Sequence, residues 1–149
     1  MKNTIGIALV AGIMLTLGAC STGDLPPVSS TVLLDKAATT VLGDGFSYPG
    51  EDNPEVTSSI VRLEPGAETG WHLHEAPMYA YILEGTLQVT YDVNGTMVTK
   101  TYAEGDAILE GLDTPHIGKN LTNRQVAILV VNMGSPDLAN SVPLDAPQQ

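Results

Sequence analysis

Short apolar segments alternate with turn signals at intervals of about ten residues through most of this 149-residue chain. The separators are rich in Gly, Pro, Asn and Asp, as in Gly43-Asp44-Gly45 and Glu64-Pro65-Gly66. Asn94-Gly95 is a strong hairpin signal, because both residues tolerate a positive φ. The pattern predicts an all-β fold of short antiparallel strands, which are Thr31–Leu34, Thr39–Leu42, Val56–Leu63, Trp71–His74, Tyr79–Leu83, Thr86–Tyr91, Met97–Tyr102, Ala107–Glu110, His116–Lys119 and Gln125–Asn132.

Length and charge narrow the class of protein further. A chain of 149 residues has room for one ordinary domain. Its formal net charge of −11 at pH 7 repels phosphate backbones, and no basic stripe interrupts it, so we expect no nucleic-acid partner. The strand pattern alone leaves an immunoglobulin-like sandwich, a lipocalin-like barrel and a jelly roll equally open.

The N-terminus has the pattern of a secretory signal, with Lys2 followed by an apolar run from Ile5 to Leu17. Leu17-Gly18-Ala19-Cys20 resembles a bacterial lipobox, which implies that residues 1–19 are a lipoprotein signal peptide and that Cys20 carries lipid such as palmitate. Cys20 is the chain's single cysteine, so no internal disulfide competes for it.

The polar, Pro-containing residues 20–30 are expected to form a tether between this lipid anchor and the domain. Ser21 is similar to the residue that follows the cysteine in outer-membrane lipoproteins. We therefore expect a protein of the bacterial cell envelope, anchored on the periplasmic face of the outer membrane.

Three histidines make up the strongest chemical signal. His72 and His74 are two residues apart, so in a strand both imidazoles project from the same face. Neutral imidazole is a good ligand for Zn, Fe, Ni, Cu and Mn, and three ligands with open positions are typical of a catalytic metal site.

The spacing around these histidines resembles the two motifs of the cupin superfamily. The first motif, Gly-x5-His-x-His-x3,4-Glu-x6-Gly, is matched at Gly66, His72, His74 and Gly85. Most of the second, Gly-x5-Pro-x-Gly-x2-His-x3-Asn, is matched at Gly105, His116 and Asn120. The resemblance covers residues 31–134 and implies a single cupin jelly-roll barrel, with residues 135–149 left as a loose tail.

In cupins the two motifs lie on facing strands, so the resemblance places His116 beside His72 and His74. It also implies a divalent ion (Fe, Mn, Ni or Zn), a small-molecule ligand and a possible homodimer. Two departures matter: Met78 stands where the family has Glu, and Glu110-Gly111 stands where Ile/Phe-Pro is common. Met78 either lines the pocket or ligates a soft metal.

Two carboxylates could replace the missing one. Glu75 follows His74 directly, so along a regular strand it points the other way. Glu110 shares parity with Ile108, and if that face is interior, Glu110 could bind the metal or act as a catalytic general base. We expect Trp71, Met78 and Tyr81 to line the substrate pocket.

Two functions remain open from the sequence. One is a metal-dependent, dioxygenase-like oxidoreductase acting on a small molecule, whose three-His ion leaves positions for substrate and O₂. The other is a non-catalytic periplasmic module that binds a small ligand or a metal. Metal content and the orientation of Glu110 discriminate between the two.

Overall fold

The structure is a computed structural model that describes residues 34–35, 39–45, 47–48, 50 and 53–148, all within one unit, residues 32–149. Its described elements are strands, and no helix occurs among them. Nothing in this part of the chain forms a helix long and apolar enough to cross a bilayer. The strands are β1 (Glu55–Leu63), β2 (His72–Leu73), β3 (Met78–Glu84), β4 (Thr86–Val93), β5 (Thr96–Ala103), β6 (Ala107–Leu109), β7 (His116–Lys119), β8 (Val126–Gly134) and β9 (Val142–Pro143).

The strands form two antiparallel sheets. The first has the order β1-β8-β3-β6, and the second has the order β5-β4-β7-β2-β9. Strands that follow one another in the sequence often lie apart within a sheet, and β2 and β3 belong to different sheets, as a jelly roll requires. The predicted all-β jelly-roll architecture is confirmed.

Turn chemistry sets the register of these strands. Asn94 and Gly95 have φ values of 54° and 83°, so the predicted hairpin between β4 and β5 is confirmed. Gly85 joins β3 to β4 with a φ of 83°, and a Cβ at this position would lie 2.7 Å from the carbonyl oxygen of Gln125. A side chain there is excluded both by the backbone conformation and by the space.

The core lies between the two sheets, where side chains of alternate residues meet. On the inner face of the first sheet, paired residues form three rows. The first row is Thr57, Asn132 and Met78; the second is Ser59, Val130, Ala80 and Ile108; the third is Val61, Ile128 and Ile82. The side chains become less polar from the first row to the third, so the inner face of this sheet has a polar end and an apolar end.

Asn120, the last motif residue, stabilises the barrel rather than the site. Its side chain is fully buried, and its amide group donates to the carbonyl oxygens of Leu63 and Arg124 at 3.0 and 2.7 Å. Its Oδ1 accepts from the backbone N–H and the hydroxyl of Thr122 at 3.0 and 2.7 Å. These bonds hold the end of β7 against the end of β1. Both polar groups of the buried Asn120 side chain have hydrogen-bond partners, as buried polar groups require.

Some expectations differ from the structure or lie outside it. Residues 39–42 do not form a strand; Thr39 makes an isolated bridge to Gly45, with turns between. The tail expected to be loose instead contributes β9, which pairs with β2, while Leu144 N–H donates to Trp71 O at 2.9 Å. Local sequence did not reveal this pairing because β9 is only two residues long. The signal peptide, Cys20, the tether and nearly all of the predicted strand at residues 31–34 lie outside the described residues.

Candidate metal centre

Strand pairing in the second sheet brings the three histidines together. His116 on β7 pairs with His72 on β2 and with Tyr91 on β4, which places them in one row across the sheet. His74 follows β2 on the same side. The ring centroids are 4.3 to 5.1 Å apart, and one nitrogen from each ring lies within 4.8 Å of the others.

Each imidazole is oriented by a backbone carbonyl. Nδ1 of His72 lies 3.0 Å from Gly70 O, Nδ1 of His74 lies 2.6 Å from Asn140 O, and Nδ1 of His116 lies 2.8 Å from Thr114 O. A carbonyl only accepts, so each Nδ1 carries the proton and each Nε2 presents a lone pair. Metal-ligating histidines in proteins are held in this way.

Burial keeps two of these rings neutral. Desolvation lowers the pKa of His74 to about 4 and the pKa of His116 to about 4, and their hydrogen bonds to backbone carbonyls oppose this only in part. His74 Nε2 is buried with no hydrogen-bond partner among the described residues. An unpartnered lone pair beside two other imidazoles fits a divalent cation, because the cation would satisfy all three nitrogens at once.

Glu110 lies in the same cavity and is 5% exposed. Desolvation raises the pKa of its carboxyl group, opposed by hydrogen bonds from the backbone N–H of Gly111, at 2.9 Å, and from the Tyr91 hydroxyl. It lies outside the group of ligand atoms within 4.8 Å, so the cluster itself is made of the three histidines. A buried carboxyl group with a raised pKa beside a metal site is suited to proton transfer.

The position of Glu110 answers which carboxylate accompanies the histidines. The Glu110 N–H donates to Met78 O at 2.9 Å, so Glu110 lies beside residue 78, where the cupin motif has Glu. Met78 itself is 6% exposed and lines the cavity. Glu75 is exposed, accepts from the backbone N–H of Ala139 at 2.8 Å and does not line the cavity.

Two residues expected in the substrate pocket lie elsewhere. Trp71 lines a separate depression with Thr90 and Ile117, because it precedes His72 and therefore faces the other side of the sheet. Tyr81 lies between the buried Ala80 and Ile82 and is only half-buried, facing away from the interior. Strand alternation therefore excludes both from the site.

The cavity between the sheets has a volume of about 350 Å³. Its wall away from the histidines is apolar and is formed by Val61, Ala80, Leu87, Val89, Ile108, Ile128 and Val130. Thr57, Ser59, Asn140 and Ser141 line it yet remain exposed, so they mark its mouth. A small molecule could enter there and reach both the histidines and Glu110.

Sequence reasoning missed two contributors. Asn132 lines the cavity and is 7% exposed; its parity with Ile128 and Val130 on a predicted strand was a usable signal. Asn140 holds His74 from the C-terminal segment, 66 residues away in sequence. No local pattern predicts a contact over that distance.

The fold and the site together define a small jelly-roll domain with a three-histidine centre in its barrel. Residues 59–132 match the Cupin_2 family, described as the cupin domain. The chain therefore carries a cupin domain, as its motifs predicted. No curated protein matches the chain.

Solved structures of oxalate decarboxylases share this fold. The Bacillus subtilis enzyme, studied for its Mn(II) centres, is 23% identical with a TM-score of 0.54, over 60% of this chain and 24% of that one. The Lactobacillus farciminis enzyme, in a formate complex, is 20% identical with a TM-score of 0.52, over 60% and 26%. This chain spans about a quarter of the length of those enzymes. At this identity the likeness shows the fold alone.

Proposed function

We propose that the domain is a metal-dependent enzyme, of oxidoreductase and dioxygenase-like type, acting on a small molecule in the barrel cavity. One observation carries the proposal. Three Nε2 lone pairs converge while every Nδ1 is tied to a backbone carbonyl, and a buried carboxyl group shares their cavity. A purely structural cluster needs no such acid beside it.

His72, His74 and His116 would hold the ion, which can be Fe, Mn, Ni or Zn. When bound, the ion supplies a Lewis acid with open positions, and a redox-active ion also supplies electron transfer. Glu110 would take a proton from a substrate hydroxyl, because its raised pKa makes it a better base than an exposed carboxylate. The apolar wall excludes water from that transfer.

The experiment separates chemistry from metal binding. The protein is loaded with Fe(II), Mn(II) or Ni(II), and O₂ uptake is measured with a panel of small alcohols, phenols and hydroxy acids. Glu110→Gln should lower kcat by about 10²–10⁴-fold while leaving metal content unchanged. Glu104→Gln, an exposed carboxylate on a turn, is the matched control and should retain full activity. Equal turnover in Glu110→Gln would refute the assigned role.

The alternative function is a non-catalytic module that binds a small ligand or a metal. The mainly apolar wall of the cavity favours it, since a binding pocket needs few polar groups. The absence of turnover with every ion and compound, together with tight Zn(II) uptake, would favour this alternative over the enzyme.

For localisation we propose a lipid anchor at Cys20 in the bacterial envelope, on the periplasmic face of the outer membrane. The support is the Leu17-Gly18-Ala19-Cys20 sequence, the single cysteine and Ser21. Labelled palmitate should enter the wild-type protein in a bacterial host, and Cys20→Ala should remain unlabelled. Equal labelling of both proteins would contradict the anchor.

We also propose a homodimer. β1 is the edge strand of its sheet, and Val56 and Ile60 are 71% and 48% exposed on its outer side. A second copy could cover both in a two-fold symmetric contact. Light scattering after size-exclusion chromatography should give twice the mass of the chain, and Ile60→Lys should give the single mass. A wild-type monomer at every concentration would contradict this.

A further inference from the structure

Asn132, a residue that lines the cavity, carries a buried acceptor that is not used. Its side chain is 7% exposed, and its Oδ1 has no hydrogen-bond partner among the described residues. The residue pairs with Met78 and Thr57 in the first row of the inner face, so it lies at the polar end of the cavity. A buried acceptor without a partner costs free energy, so a hydrogen-bond donor on a ligand would recover that cost.

The charges of the cavity restrict that ligand. None of its described lining residues is Lys or Arg. Lys119 instead pairs with Glu68 at 2.9 Å, and Arg124 lies 3.7 Å from Glu84, both on the surface. Apart from a bound metal ion, the described lining of the cavity offers a small dianion no cationic side chain.

The gradient of polarity along the rows restricts it further. Adjacent rows are two residues apart along a strand, so they are separated by about 6–7 Å. The first row, with Asn132 and Thr57, is polar, whereas the second and third present Val130, Ile128 and Ala80. A ligand that fills the cavity therefore has one polar end and an apolar body of roughly one ring.

We propose that the cavity takes an uncharged or singly charged molecule with a hydroxyl group on an apolar body, such as a phenol, and that Asn132 Oδ1 accepts a hydrogen bond from this hydroxyl group. The proposal rests on the proposed function, because it assigns the substrate class of the same cavity. Asn132 is a specificity-determining residue, and it distinguishes a hydroxyl-bearing ligand from an ether of the same shape. Oxalate, a small dianion without an apolar body, finds no cationic side chain in the metal-free cavity.

Binding of three probes tests this class. The probes are 4-ethylphenol, its methyl ether and oxalate, each titrated by NMR into wild-type protein in metal-free and Zn(II)-loaded forms. The phenol should bind the metal-free form about tenfold more tightly than the ether, because one additional hydrogen bond raises affinity by about that factor. Oxalate should show no saturable binding to that form. In the metal-free form, equal affinities for phenol and ether, or tighter binding of oxalate than of the phenol, would overturn the proposal without needing any variant.

A variant assigns the effect to Asn132. Asn132→Leu keeps the volume and removes the acceptor, so its affinity for the phenol should fall about tenfold while the affinity for the ether stays constant. Asn123→Leu, an exposed turn residue, is the control and should bind both probes as the wild type does. Unchanged phenol binding by a folded Asn132→Leu overturns the proposal. If Zn(II) fails to load, the metal-dependent function fails, whereas the metal-free titrations still decide the ligand class.

Discussion

The buried histidines make the stability of the metal-free protein depend on pH in a calculable way. His74 and His116 have an ordinary pKa of 6.5 when unfolded and a pKa of about 4 when folded. Between these values the unfolded state binds more protons, so stability is lost as pH falls from 6.5 towards 4. At pH 5, about 1.5 pH units below the unfolded value, each ring costs about 2 kcal/mol, and the pair costs about 4 kcal/mol.

Glu110 has the opposite effect on stability. The pKa of its carboxyl group is raised in the folded state, so its contribution to the stability of the protein falls as pH rises. The measurement therefore uses Glu110→Gln, dialysed against a chelator, with urea unfolding followed by Trp71 fluorescence at pH 7 and pH 5. The unfolding free energy should fall by about 4 kcal/mol, and by about 2 kcal/mol when His116→Gln is added. An equal fall with and without His116 would refute the reasoning.

Three further predictions concern packing and support. Asn120→Ala should lower the unfolding free energy by about 3 kcal/mol at pH 7, measured by urea unfolding, because it leaves buried partners unpaired; a loss below about 1 kcal/mol would contradict it. Gly85→Ala should cost at least about 1–2 kcal/mol for its positive φ, with the 2.7 Å contact adding to this, and an unchanged melting temperature would contradict it. Deletion of residues 136–149 removes Asn140 O from His74 and should weaken Zn(II) affinity about 10–100-fold in a chelator competition; full affinity would show that this carbonyl is dispensable.

Much of the fold follows from local sequence. Turn residues mark the strands, and Asn94-Gly95 fixes a hairpin whose backbone only residues tolerant of positive φ adopt easily. The strand predicted at residues 39–42 and the unpredicted β9 show the limit of this reasoning. Thr39 makes one bridge only, and β9 is ordered by its pairing with β2, which short-range patterns do not encode.

The site divides in the same way. The parity of Glu110 with Ile108 placed this carboxylate in the interior only on the condition that Ile108 faces the core, which the structure meets. The spacing of His72 and His74 predicted two imidazoles on one face. The same alternation excludes Trp71 and Tyr81, which were expected in the pocket on sequence proximity alone. The support of His74 by Asn140 arises from tertiary structure and was beyond sequence reasoning.

Metal stoichiometry tests the central claim most directly. Untagged wild-type protein and the double variant His72→Ala/His116→Ala are incubated with Zn(II), desalted and analysed by mass spectrometry of the elements. The three-histidine centre predicts one ion per wild-type chain and a background level in the variant, which loses two of three ligands. Equal uptake by the two proteins would contradict a metal centre built on these histidines.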